Sequence, residues 1–363
     1  MPQKIKVLHF VTGGFSGATS VALDLVRTHL KSADIETVLV MRQKKNSTAD
    51  KLSALNQENI PYALVSGKTH LLTVHQLAKF CRQWQPDILV AHGFPEHILG
   101  RWAGRLARVP HLIQIEHNSR ERYTPWKLLQ SRSLSKHTDY AIGVSEGVAD
   151  VLRAQQLHTT IRAIPNGIHT QRFAQAAQSP IAARPKDLVM VARYAKSKDH
   201  TTLIEALHLL KQNGLTPKLT LVGSGNQRYE QKVRQLLDQY QLGDQVSFIA
   251  HTPQVERVLA EHKVFVMSSI FEGLSLSVLE GMAAGCLMVG SDAVGVKELI
   301  DHTNDGFIFK MGDAQQLAQI LEPILRQPQN YQSMAERGQH KIIQHYDKER
   351  VNADYHALFT SLM

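Results

Sequence analysis

Short apolar runs of four to seven residues alternate with helical patterns along nearly the whole chain, and the alternation runs through twice. In the first half the runs are Ile5–Val11, Glu36–Met41, Pro61–Val65, Ile88–Ala91, Leu112–Glu116 and Tyr140–Val144. Helical patterns such as Ser20–Leu30, Val74–Gln83 and Ile98–Ala107 separate most of them. The second half repeats the grammar with runs at Leu188–Ala192, Leu219–Val222, Val246–Ala250 and Val264–Met267. Between these lie helical patterns at Thr201–Asn213, Gln227–Leu242 and Gln254–Glu261. Strands that alternate with helices must pair in parallel and be covered on both faces. The expected fold is therefore α/β, with two Rossmann-like β/α/β domains and a cleft between them. The switch falls in the Pro-, Ala- and Gln-rich stretch around Pro165–Pro185. We expect domains at 1–170 and 171–345, with a last helix, 346–363, crossing back to the first domain. A length of 363 residues suits two such domains.

Charge separates the two halves. Residues 1–170 hold 21 Lys/Arg and 12 Asp/Glu, whereas residues 171–363 hold 20 of each. The whole net charge of +9 thus lies in the first half, which suits an anionic partner. No helix-turn-helix, RNP or zinc-finger pattern points to nucleic acid. Two cysteines, Cys81 and Cys286, make neither a disulfide framework nor a metal pattern, and a reduced, cytoplasmic setting is expected. The chain opens directly into a strand, without a leader pattern, and no apolar stretch reaches the ~18–20 residues of a membrane span. There is no D-x-D and no histidine or cysteine cluster at metal spacing, so no metal or other cofactor is expected.

The most informative local pattern follows the run Val264–Met267. The chain there reads Phe-Glu-Gly-Leu-Ser-Leu-Ser-Val-Leu-Glu-Gly-Met, with Glu272 and Glu280 eight residues apart. Ser277 and Glu280 have the spacing of an S-x-x-E capping box, which alone would explain one carboxylate. The segment also lies at a strand's carboxyl end, where open α/β sheets bind ligands. The N–H groups of Gly273, Leu274 and Ser275 stand near a helix start and suit a phosphate or sugar hydroxyl. Glu280 can then accept from ribose hydroxyls. Arg193 and Lys198 follow another strand end. An arginine fork and a lysine point charge are the partners a diphosphate needs once it leaves water. Lys196 competes with Lys198 for that place. Gly223-Ser224-Gly225 follows a third strand, either as a tight turn or as a close backbone approach to a ligand.

These motifs together resemble the family-4 retaining glycosyltransferases of the GT-B fold. Val144-Ser145-Glu146-Gly147-Val148-Ala149 and Pro165-Asn166-Gly167-Ile168 match, and so do the pair Arg193 and Lys198 and the Gly-x-Gly at Gly223 and Gly225. The E-x₇-E at Glu272 and Glu280 and a late Gly295/Glu298 complete the order. The family spacing of five favours Lys198 over Lys196. His169, Leu287 and Val294 depart from the usual Asp, Pro and Gly, and leave substrate detail open. The resemblance implies an enzyme that retains configuration and uses no metal. Its donor is a nucleotide-diphosphate sugar, with UDP first and GDP next, bound by the second domain. Arg193, Lys198 and Glu272 act on diphosphate and sugar, Glu280 on the ribose, and Gly14 in the first glycine-rich loop closes over donor or acceptor. His117, ending an N-domain strand, would face the transferred sugar. The implied acceptor is a glycan or lipid-linked molecule of bacterial surface polysaccharide or lipopolysaccharide assembly. A sugar-nucleotide epimerase and a non-catalytic scaffold of the same fold remain alternatives.

Arg101, Arg105 and Arg108 share a helical face beside Trp102, and Arg120, Arg122, Trp126 and Lys127 follow. Basic residues mixed with aromatics suit an anionic membrane surface or a phosphorylated or lipid-linked acceptor, and equally a solvated basic face over core aromatics. We expect Arg101, Arg105, Arg120, Arg122, Trp126 and Lys127 to face that partner.

Overall fold

The strands form two separate sheets, and every strand pair among the described residues is parallel. The structure is a computed structural model and describes residues 4–14, 17–44, 49–120 and 123–363. It divides into two units, one of residues 1–166 with 351–363 and one of residues 167–350.

In the first unit, β1 (Ile5–Thr12), α1 (Gly17–His29), β2 (Ile35–Arg42), α2 (Ala49–Gln57) and β3 (Tyr62–Val65) build one wing of the sheet. Next come α3 (His70–Trp84), β4 (Ile88–His92), α4 (Glu96–Ala107), β5 (His111–Glu116) and α5 (Pro125–Ser135). The other wing ends with β6 (Tyr140–Gly143), α6 (Glu146–Ala154) and β7 (Thr160–Ala163). The order is β3-β2-β1-β4-β5-β6-β7, so the chain reverses its direction of growth between β1 and β4. Alternation along the strands sends Leu8, Phe10, Val38, Val40, Leu89 and Ala91 into a core under α3 and α4. Val11, Leu39 and Met41 point the other way, against Ala22 and Val26 of α1.

In the second unit, β8 (Lys186–Val191), α7 (His200–Gln212), β9 (Leu219–Val222), α8 (Gln227–Gln239) and β10 (Val246–Ile249) grow in one direction. After α9 (Val255–Ala260), β11 (His262–Met267), α10 (Leu276–Ala283), β12 (Leu287–Ser291), the single turn α11 (Val294–Lys297) and β13 (Phe307–Phe309) grow in the other. The order β10-β9-β8-β11-β12-β13 puts the switch point between β8 and β11. Helices α12 (Ala314–Arg326) and α13 (Gln332–His345) follow. The final helix, α14 (Lys348–Thr360), is separate from α13. Between them Asp347 bridges to Ile168, which ends one helix and starts the next. The residues from Val351 onward pack with the first unit, where Asn352 donates to the Thr28 hydroxyl at 2.7 Å.

Candidate functional site

The loops after β8 and β11 meet at the switch point of the second sheet. Ile270 N–H donates to Ser197 O at 2.8 Å, and the Ser268 hydroxyl donates to Asp199 O at 2.8 Å. This knitting brings Lys198 onto Glu272, with the ammonium bonded to the carboxylate Oε1. Each side chain of that pair is only 14% exposed. The Ser269 hydroxyl donates to the same oxygen at 2.7 Å, so three groups are held in one arrangement. Lys196 is exposed, and it is Lys198 that reaches the carboxylate. Arg193 stands exposed two residues beyond β8, on the same end of the sheet. Gly273, Leu274 and Ser275 are buried in the turn between Glu272 and α10, and Ser275 is the cap of that helix. Gly295 presses on this turn: a Cβ there would lie 2.3 Å from Gly273 O. Ser275 N–H is taken up by Gly295 O at 3.2 Å, which removes it from the expected set of ligand donors.

The S-x-x-E spacing is not used as a capping box. The N-cap is Ser275, two residues before Ser277, and no side chain caps the helix. Glu280 therefore lies in the second turn of α10. Burial pushes its carboxyl up to about 7; nearby Arg172 opposes the rise and Glu256 adds to it. Arg172 is itself tied to Glu256 at 2.7 Å. Nothing local in the sequence links position 172 or 256 to position 280.

Gly223 and Gly225 are glycines for a packing reason. Gly223 has φ +145°, and a Cβ there would sit 2.2 Å from Ala192 O. A Cβ at Gly225 would lie 2.5 Å from both N and O of Tyr194. The turn after β9 thus lies directly on the backbone flanking Arg193, and Asn226 N–H bonds Tyr194 O at 2.8 Å. The two glycines shape the wall beside Arg193.

In the first unit, Gly14 follows β1 at that sheet's switch point, and neighbouring Gly13 donates to Arg42 O at 2.8 Å. His117 follows β5 and is partly exposed. Its ring Nε2 lies 3.3 Å from His92 Nδ1, and burial holds its pKa down at about 3, so it is neutral near pH 7. Burial likewise lowers the pKa of His92.

The expected basic face is corrected at one position. Arg101 is fully buried, and its guanidinium donates to His97 O at 3.0 Å and to the Ser131 hydroxyl at 3.0 Å, with His97 Nδ1 at 2.9 Å. Helical spacing places it with Arg105, but α5 covers that end of the face through Ser131. Tyr123 is also internal in role, its hydroxyl 2.6 Å from His97 Nε2 and 3.3 Å from Glu116 Oε2. Arg122 lies outside the described residues, and Arg120 is exposed. What remains exposed is apolar as well as basic. Leu71, Leu106, Trp126 and Leu129 are 85, 54, 66 and 57% exposed. A cavity of about 530 Å³ lies among α3, α4 and α5, lined by Leu71, Val74, Ile98, Trp102, Trp126 and Lys127 among others. Lys79, Arg82, Arg105, Arg108 and Lys136 are exposed on or just beyond these helices. The carboxylate they carry, Glu96, is buried 3.3 Å from Arg42. No helix among the described residues is long and apolar enough to cross a membrane.

Comparison with known proteins gives matches along most of the chain. The profile described as Glycosyltransferase Family 4 matches residues 15–172, and that described as Glycosyl transferases group 1 matches residues 171–341. A lipopolysaccharide core biosynthesis glycosyltransferase, LpsE of Rhizobium meliloti, is 26% identical over 98% of this chain and 99% of its own. An Escherichia coli UDP-Gal:alpha-D-GlcNAc-diphosphoundecaprenol alpha-1,3-galactosyltransferase is 25% identical over 69% of this chain and 68% of its own. Among solved structures, Anabaena HepE in complex with UDP superposes with a TM-score of 0.85 at 19% identity, covering 99% of this chain and 100% of that one.

Proposed function

The chain belongs to the family-4 glycosyltransferases and has their GT-B fold, and from this premise we propose how its residues carry out glycosyl transfer. The donor is a nucleotide-diphosphate sugar, with a UDP-sugar the first choice, and it binds in the second unit. The observation that carries this reading is the Lys198–Glu272 pair at the switch point between β8 and β11, with Arg193 beside it. An incoming diphosphate draws on Arg193 and Lys198, whose charges offset the negative charge that grows on the leaving group. Glu272, released from part of its pairing, accepts from sugar hydroxyls, and the N–H groups of Gly273 and Leu274 line the same turn. Glu280 accepts from the ribose. In this reading the cationic pair does the work that a metal does in D-x-D enzymes, and configuration is retained.

His117 lies near the transferred sugar and meets it as a neutral ring. The acceptor, bound by the first unit, is a glycan or lipid-linked molecule of bacterial surface polysaccharide or lipopolysaccharide assembly. Relatives that act in lipopolysaccharide core synthesis and on a diphosphoundecaprenol-linked sugar support this class. The apolar cavity among α3, α4 and α5, lined by Lys127 and formed by helices that carry exposed cations, supports attachment to an anionic membrane.

A thermal-shift screen of UDP- and GDP-sugars tests the donor: a bound donor raises stability by mass action. The proton spectrum of the first-formed product then reads its anomeric configuration, and inversion would overturn retention. Sedimentation with vesicles tests the face. Binding to anionic but not neutral lipid at low salt, weakened in Trp126→Ala, is expected; equal behaviour toward both lipids would sink the membrane reading.

A further inference from the structure

Two buried histidines of the first unit, His9 and His92, stand on neighbouring strands, and the partly exposed His117 follows the next strand, β5. Sheet register pairs His9 of β1 with Val90, and His92 of β4 with Ile115 of β5. Side chains alternate along each strand, so His9, His92 and His117 all present to one face of the sheet. α1 covers that face, and its last residue is another buried histidine, His29. The rings form a line. His29 Nδ1 lies 3.4 Å from His9 Nε2, His9 Nδ1 lies 3.0 Å from His92 Nε2, and His92 Nδ1 lies 3.3 Å from His117 Nε2. Phe359 of α14 stands edgewise to His9 and His29 and closes the far end. Burial lowers the pKa of all four, to about 4 for His29 and about 3 for His117, so each ring is neutral near pH 7. The titratable groups that face the His29 end are His356 and Asp34, themselves 2.9 Å apart.

A neutral imidazole carries one N–H and one lone pair. Each link in the line uses one N–H of one ring and one lone pair of the next. Four rings so joined have only two arrangements, with every donor pointing toward His117 or every donor pointing away. Fixing the proton on one ring fixes it on all four. The far end decides between them. His29 Nε2 is buried, with no polar partner among the described residues. An orphaned buried N–H is rarer than an under-used acceptor. His29 therefore keeps its proton on Nδ1, and every donor in the line points toward His117.

We propose that His92, His9 and His29 are positioning residues that hold His117 as its Nδ1–H tautomer, so that it meets an oxygen of the bound sugar or phosphate as a hydrogen-bond donor and not as a base. This rests on the reading of His117 as a residue beside the transferred sugar. Long-range ¹H–¹⁵N correlation spectra of the full chain labelled at histidine nitrogen test it without any substrate. The expected result is a His117 with its proton on Nδ1 and a bare Nε2. In His92→Phe the donor to Nε2 is lost, so His117 shifts toward the Nε2–H form and turnover falls about 10- to 100-fold through misplacement. His92→Gln, whose amide can donate to the same nitrogen, restores Nδ1–H and most of the turnover. A wild-type His117 protonated on Nε2, or an unchanged tautomer in His92→Phe, overturns the proposal. If the tautomers behave as stated while His117→Phe turns over normally, the line of histidines stands, and the placing of His117 beside the sugar, with its donor role, falls.

Discussion

Replacing Lys198 by Met and Arg193 by Ala separates two roles that a single activity assay would merge. Lys198 is paired with Glu272, and each side chain is 14% exposed. Breaking a fully buried pair costs ~3–5 kcal/mol, and an exposed one ~0–1 kcal/mol. This pair lies between those limits, and the Ser269 hydroxyl still holds Glu272 after the lysine is gone. We therefore expect Lys198→Met to destabilise the second unit by about 1–3 kcal/mol, a fall in Tm of a few degrees for a unit of this size. Arg193 is exposed, and its truncation should stay within about 0.5 kcal/mol. Both variants should lose turnover with a UDP-sugar by about 10²-fold or more, because each removes charge from the leaving diphosphate. Calorimetric melting of both variants, set beside steady-state UDP release, reads the split. Adding Glu272→Gln to Lys198→Met should recover part of the lost stability but none of the turnover. Turnover within threefold of wild type in both single variants would refute the diphosphate role. A Tm unchanged in Lys198→Met would refute the structural half of the argument.

Glu280 gives a pH signature. Its carboxyl is raised to about 7 by burial, so the folded chain binds a proton that the unfolded chain has released above about 4.5. Stability from this group is present at low pH and is lost as pH rises from about 4.5 through 7, by up to about 3 kcal/mol at ~1.36 kcal/mol per unit. Glu280→Gln should flatten that window in urea melts and be the more stable chain at pH 8. If the ribose donates to Glu280, UDP affinity of the wild type should rise between pH 6 and 8, and that rise should vanish in Glu280→Gln. Arg101→Met should cost about 3 kcal/mol or more by stranding the partners of a buried guanidinium, yet leave vesicle binding of the folded fraction unchanged. Gly225→Ala must push the turn off Tyr194, and should weaken UDP binding measured by titration while leaving α8 helical by circular dichroism.

The strand–helix alternation carried most of the fold, because parallel strands buried on both faces read as apolar runs. It missed three strands: Thr160–Ala163 is half polar, Phe307–Phe309 is only three residues long, and Leu287–Ser291 follows α10 after three small residues, so that its apolar run merges with the helix. The last helix, expected at 346–363, is α14, parted from α13 by the Asp347 bridge. Glu272 and Lys198 were legible as site candidates because each follows a strand end, but their contact depends on two loops hydrogen-bonded across the switch point. The spacing of Ser277 and Glu280 suggested a capping box that does not form, because the backbone enters the helix at Ser275 and leaves Ser277 inside it. Arg101 misled because spacing tells which residues share a helix face and not what covers it. The histidine line was invisible for a related reason: four residues between positions 9 and 117 are joined only by sheet register and by the packing of α1.

The central claim is that Arg193 and Lys198 bind the diphosphate of the donor at the switch point between β8 and β11. Calorimetric titration with UDP and with uridine, which lacks the diphosphate, tests it most directly. The account predicts that UDP binds the wild type at least ~100-fold more tightly than uridine, in line with two charge-assisted contacts, and that Arg193→Ala with Lys198→Met removes most of this difference. A difference between UDP and uridine that survives both substitutions would contradict it.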